Sequence, residues 1–137
     1  MCVCVSSFEI SMKSHSKNIS PVGWYYGSYL VRSVEIEESG NDDLESKFLV
    51  WVNTVIVKAT DLSEAYDKIE TIGKEHEVRY EAGRDKIPVK WVYEGIIELL
   101  PIYEELEDGA EIAFTEYKST KLKKLRKLVR NKDDFYQ

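Results

Sequence analysis

The segment from Trp24 to Leu100 constrains the fold more than any other part of the chain. Its hydrophobic period runs from two to about 3.6 and back to two. Over about 24–37, Leu30, Val34 and Ile36 share one face of an extended segment, with Glu35 and Glu37 on the other. Arg32 interrupts the apolar face, which suggests a bulge or a sheet edge nearby. Residues 38–47 are polar, and Gly40-Asn41 marks a hairpin loop. Residues 48–59 are almost continuously apolar and rich in β-branched side chains, the pattern of a central strand covered at least partly on both faces.

A helix follows. Asp61 is placed to cap it, and Glu64 completes an Asp-x-x-Glu variant of the capping box. Leu62, Ala65, Tyr66, Ile69 and Ile72 recur at three- and four-residue steps and make one apolar stripe, while Asp67, Lys68 and Glu70 point away. Gly73 is the expected stop, since glycine accepts the left-handed conformation that ends helices. Beyond it, 78–82 reads as a short strand and 83–86 as a turn. Residues 89–100 read as a long strand with Val89, Trp91, Tyr93, Ile97 and Leu99 on one face. Gly95 suggests a bend in that strand, and Pro101 ends it. Residues 102–108 fit one helical turn, and 110–117 fit a last strand with Ile112 and Phe114 inward.

The expected fold class is therefore α+β: a mostly antiparallel sheet of about five strands with one helix on a face, in the order β-β-α-β-β-β, plus a basic C-terminal helix. The organisation expected is a flexible arm over 1–22, one domain over 23–118 and a basic amphipathic helix over 119–137. Met12, inside the arm, offers a second possible translation start. At 137 residues and 43% hydrophobic, the chain is large enough to bury a core without a metal or disulfide.

Charge is unevenly placed. Residues 1–120 hold 12 Lys/Arg against 23 Asp/Glu, whereas 121–137 hold 7 against 2. The acidic body repels nucleic acid and favours basic proteins or cations. The cations of the end are Lys121, Lys123, Lys124, Arg126, Lys127, Arg130 and Lys132. They suit nucleic acid or an anionic membrane, but their accompanying stripe of Leu122, Leu125 and Leu128/Val129 needs apolar cover. Docking on the same chain or on a second copy is the preferred expectation. No apolar run is long enough to span a membrane, and no signal-peptide pattern opens the chain, so a cytoplasmic protein is expected.

Candidate chemistry is sparse. Cys2 and Cys4 are too close for an ordinary disulfide. Thiolates with His15 or His76 could bind a soft metal, but zinc spacings leave two or more residues between cysteines, so no metal site is expected. His76 sits between Glu75 and Glu77 without a nucleophile at recognisable spacing, and a solvated loop histidine is the better reading. Glu104, Glu105, Glu107 and Asp108 lack the glycine and alternating ligands of a calcium loop, and read as a solvated acidic face. The glycines form no phosphate-binding loop, and no nucleophile-elbow or paired-histidine motif occurs. No catalytic residue and no cofactor is assigned.

Aromatic side chains are the remaining signal. Trp24, Tyr25, Tyr26, Tyr29, Trp51, Tyr80, Trp91 and Tyr93 exceed what one helix can cover, so part of this set is expected at an interface. The ligand or interface candidates are Trp24, Tyr25, Tyr80, Trp91, Tyr93 and Glu111.

The succession Trp24-Tyr25, Ser63-Glu64-Ala65-Tyr66, Gly73-Lys74-Glu75, Tyr80, Gly83, Val89-Lys90-Trp91, Gly95 and Leu106-Glu107-Asp108-Gly109-Ala110-Glu111 resembles the family catalogued as domain of unknown function 4288. The resemblance covers about 24–117 and implies a compact bacterial α+β domain, with no established activity or catalytic residue to carry over. Where the family pattern leads us to expect Asn after Tyr80, this chain has Glu81-Ala82.

The leading functional expectation is a non-enzymatic protein-binding module, one version being an immunity-like protein that neutralises a basic toxin. A small-molecule binder or enzyme with a pocket near Tyr80, Trp91 and Glu111 is the second. Nucleic-acid binding through 121–130 is the third. The aromatic surplus and the long strand edges also suggest a homodimer.

Overall fold

The computed structural model describes residues 17–136. Four antiparallel strands form one sheet: β1 (Trp24–Glu35), β2 (Leu49–Lys58), β3 (Arg79–Ala82) and β4 (Ile87–Pro101), in the spatial order β2-β1-β4-β3. Helix α1 (Leu62–Glu75) joins β2 to β3 and covers one face. A short helix α2 (Leu122–Leu128) and a 3-10 turn (Lys132–Phe135) follow far downstream. The cysteines, Met12 and His15 lie outside the described residues.

The helix forms where its stripe predicts. Asp61 accepts the Glu64 N–H at 2.8 Å as a cap should, whereas Glu64 accepts the N–H of Thr60, one residue before the N-cap, at 2.7 Å, so the return bond of the capping box is displaced by one residue. Ala65 and Ile69 are fully buried against Tyr25, Tyr29, Val31 and Val57. The hairpin loop also forms: β1 and β2 pair directly, and Asn41 Nδ2 donates to the Glu35 carbonyl.

Gly73 does something other than stop the helix. The helix continues to Glu75 and is capped at His76, which has ordinary right-handed geometry. Gly73 is buried, and a Cβ there would overlap the Tyr93 ring. Gly27 mirrors it on β1, where Ile69 Cδ1 fills the space a Cβ would need. Two missing methyls let the helix lie directly on the sheet.

Several expectations are corrected. Residues 110–117 form no strand, so among the described residues the sheet has four strands and not about five; Ile112 and Phe114 are 43% and 56% exposed rather than inward. Residues 102–108 make bends and a turn, not a helical turn. The segment read as a central strand, β2, is an edge, and β1 and β4 are the inner pair. Continuous apolar sequence reports a need for cover, not the source of it. On β4, Ile96 rather than Ile97 faces the helix, because the register with β1 skips Ile97 and Glu94. These two bulges place Tyr93, Ile96 and Leu99 on one face at three-residue spacing. The interruption at Arg32 has its cause in one of them: the Arg32 guanidinium pairs with the carboxylate of the bulged Glu94 and stacks on Phe48. The expected C-terminal helix is reduced to the seven residues of α2, all exposed, so its leucines find no apolar cover among the described residues.

Ile69→Ala should cost about 2–5 kcal/mol, because a fully buried side chain leaves a cavity over Gly27. Gly73→Ala should also destabilise the fold, although alanine is favoured in helices by roughly 1 kcal/mol. Urea midpoints of both variants check this; a Gly73→Ala protein more stable than the parent would refute the close-approach role.

Candidate functional site

Side-chain alternation divides the sheet into a helix face and an open face. On the helix face, α1 shelters Tyr25, Tyr29 and Val57 but stops short of the far end of the sheet. There Trp51 of β2 and Trp91 of β4 meet above β1 at 4.8 Å between ring centroids, and Tyr80 of β3 stacks on Trp91 at 5.8 Å. The Tyr80 hydroxyl shares a 2.9 Å hydrogen bond with Ser33 Oγ. An aromatic ladder thus runs across all four strands, with Trp51 54% exposed at its outer end. At the helix C-terminus, the Tyr29 hydroxyl hydrogen-bonds His76 Nδ1, so this exposed histidine is tied to a core tyrosine.

Among the described residues, no helix lies on the open face. Ser28 Oγ and Thr54 Oγ1 share a 2.8 Å hydrogen bond across β1 and β2, and around them lie Val50, Val52 and Ile56, each 40–50% exposed. The edge strand β2 carries no charged side chain from Leu49 to Val57. The other edge, β3, is four residues long and bears Arg79 and Glu81. Short, charged edges resist pairing with other chains; long uncharged ones invite it. Beside β2, a shallow groove of about 460 Å³ is lined by Trp24, Ile56, Val57, Lys58, Lys68 and Ile72.

The sequence candidates are therefore spread out. Tyr25 is fully buried, and its hydroxyl accepts the Ser20 N–H at 2.9 Å. Ser20 Oγ in turn donates to the Ile102 carbonyl, joining residue 20 to the end of β4. Trp24 lines the groove, with Lys58 Nζ 5.6 Å from its ring centroid. Tyr80 and Trp91 belong to the ladder. Glu111 is exposed in an irregular segment, its N–H 3.4 Å from Glu104 Oε1. Tyr93 packs on Gly73 and Tyr29, and its buried hydroxyl has no hydrogen-bond partner among the described residues. Sequence reasoning missed Val50, Val52 and Ile56, because an uncharged apolar strand looks the same at an edge as in the middle. Among the described residues, no group of three or more His, Cys, Asp or Glu could hold a metal ion, and no helix is long and apolar enough to cross a membrane.

Burial first, then the charge of Glu70 and then Tyr66, raise the Tyr93 phenol above its ordinary pKa of 10.0. The folded state holds this proton more tightly than the unfolded chain. The associated stability is complete below the ordinary value and is lost as pH climbs through the raised one. Tyr93→Phe should flatten that alkaline loss. At pH 7 it should leave stability unchanged or improved, because it deletes an unsatisfied hydroxyl. Thermal melts at pH 7 and above pH 10 test both; a marked loss at pH 7 would mean that the hydroxyl has a partner in solution.

No curated protein and no solved structure matches this chain. One family model does match, over residues 24–114, which takes in all four strands, α1 and the ladder. The chain belongs to the family described as domain of unknown function (DUF4288).

Proposed function

We propose that this chain is a non-enzymatic protein-binding module of the bacterial cytoplasm that engages its partner along β2 and the adjoining open face. The observation that carries this reading is the uncharged edge strand, with Leu49, Val50, Trp51, Val52 and Ile56 each at least 40% exposed. A contiguous apolar border of this kind costs solubility unless something covers it. The acidic body adds long-range steering toward a basic partner, as an immunity-like protein would use against a toxin.

Val52→Lys tests the reading. Val52 is half exposed, so the lysine has room and the fold should survive. A pull-down from native cells should lose at least tenfold of its captured partner relative to the parent. Equal capture by both proteins would remove β2 from the binding surface. For the immunity-like version, a gene for a basic toxin should lie beside this one, and consistent absence of such a gene counts against it.

The basic end supports a second reading, nucleic-acid binding. Lys121, Lys123, Lys124, Arg126 and Lys127 are all exposed, and none makes an ion pair with a carboxylate among the described residues. Cations left free in this way can replace counterions on phosphate. Gel-shift titrations should then give RNA or DNA binding that weakens steeply with salt and disappears on truncation at Ser119. The absence of any shift at low salt would end this reading.

A further inference from the structure

We infer that the partner along β2 is a second copy of this chain, joined by antiparallel β2–β2 pairing about a two-fold axis at Asn53, so that two four-stranded sheets become one. This rests on the protein-binding reading of the edge and names its occupant as the chain itself, in place of a basic protein at this strand.

The backbone sets the register. The Ala59 N–H donates to the Gly23 carbonyl, so odd-numbered residues of β2 direct their backbone groups at β1. The Trp24 carbonyl at the start of β1 accepts from the Ile102 N–H, and the Ile36 N–H just beyond its end donates to the Pro88 carbonyl, which gives the same parity from the other side. The even residues Val50, Val52, Thr54, Ile56 and Lys58 therefore point their N–H and C=O groups outward. The Lys58 carbonyl is already taken by the Lys68 ammonium. The outward groups of Val50, Val52, Thr54 and Ile56 have no backbone partner among the described residues. This set is symmetric about residue 53. Turned on itself by a two-fold axis there, Val50 meets Ile56 and Val52 meets Thr54, and every free N–H finds a free C=O. An axis shifted by one residue to Thr54 would instead need the Lys58 carbonyl that Lys68 occupies.

The side chains agree with that axis. Asn53 is the one polar side chain of the helix-face row from Leu49 to Val57, and it makes no hydrogen bond among the described residues. At the axis it lies opposite its own copy, where each amide both donates and accepts. Thr54 needs nothing, since Ser28 already satisfies it. Leu49, 61% exposed, and Trp51 lie beyond the reach of their own helix. The two-fold brings them beside Val57 and Val55 of the other copy, next to the groove walled by Val57 and Ile72. No like charges meet along this run, so the net charge of −6 does not oppose the contact at close range.

Three measurements on the full chain test the inference. Sedimentation across micromolar concentrations should give a dimer. Thr54→Pro removes an outward N–H and the side-chain bond to Ser28, and leaves the backbone pairing with β1 whole. By symmetry it breaks two bonds between the copies, and it should weaken the dimer roughly 100-fold with an unchanged circular dichroism spectrum. Asn53→Cys in a Cys2→Ser, Cys4→Ser background should form a covalent dimer on oxidation, and this arm stands even if the proline variant fails to fold. A parent protein that is only monomeric would overturn the inference. So would a dimer that ignores Thr54→Pro and gives no covalent dimer with Asn53→Cys, or a monomer that dimerises only after residues 1–16 are removed. A monomer whose partner capture is still lost in Val52→Lys would overturn the second copy while leaving the protein-binding role of the edge standing.

Discussion

Close approach of α1 to the sheet is the constraint on which the rest depends. It is set by Gly27 on β1 and Gly73 on α1, each leaving room for one large side chain from the opposite layer, Ile69 and Tyr93. Tyr29, fully buried between them, contacts Tyr93 and His76 and so ties the helix C-terminus to the central strand. Interiors pack at near-crystalline density, so an added methyl at either glycine must displace a ring or a branched side chain. The four-strand layer is thereby held in one position under a single helix.

That position decides what is left uncovered. A helix of 14 residues spans roughly 21 Å. It shelters the Tyr25–Tyr29 end of β1 and the Val55–Val57 end of β2, and it leaves Trp51 and Leu49 beyond its reach. The aromatic ladder of Trp51, Trp91 and Tyr80 fills part of this gap by spanning the strands itself. The opposite face receives no layer along β2 from the described residues. Exposed apolar surface and an unguarded edge thus arise from one cause: one helix serves a sheet with two faces.

The polar devices of the fold are local and modest in scale. The Asp61–Glu64 cap pairs backbone donors at the helix start. Arg32 is neutralised by Glu94, a residue the bulge places outside the regular register. Ser20 bonds the Ile102 carbonyl and the N–H groups of Val22 and Trp24, closing the entry to β1. None of these groups forms a convergent polar site of the kind acid–base chemistry uses.

Helix α1, its cap, the β1–β2 hairpin and the long strand β4 were legible from the amino-acid order alone, because each is written in local periodicity and turn chemistry. The family was legible too, from a succession of residues over the same span that its model matches. Three things were decided only by tertiary structure. Strand order is one: the apolar run of β2 says that cover is needed, but pairing through β1 and β4 places it at the edge. The failure of 110–117 to pair is another, since Ile112 and Phe114 alternate like strand residues and yet stay outside the sheet. The use of Gly73 is the third, because a glycine that ends a helix and one that admits a ring look identical in sequence. Periodicity reports which side chains seek burial; which neighbour supplies it depends on contacts between residues far apart in the chain.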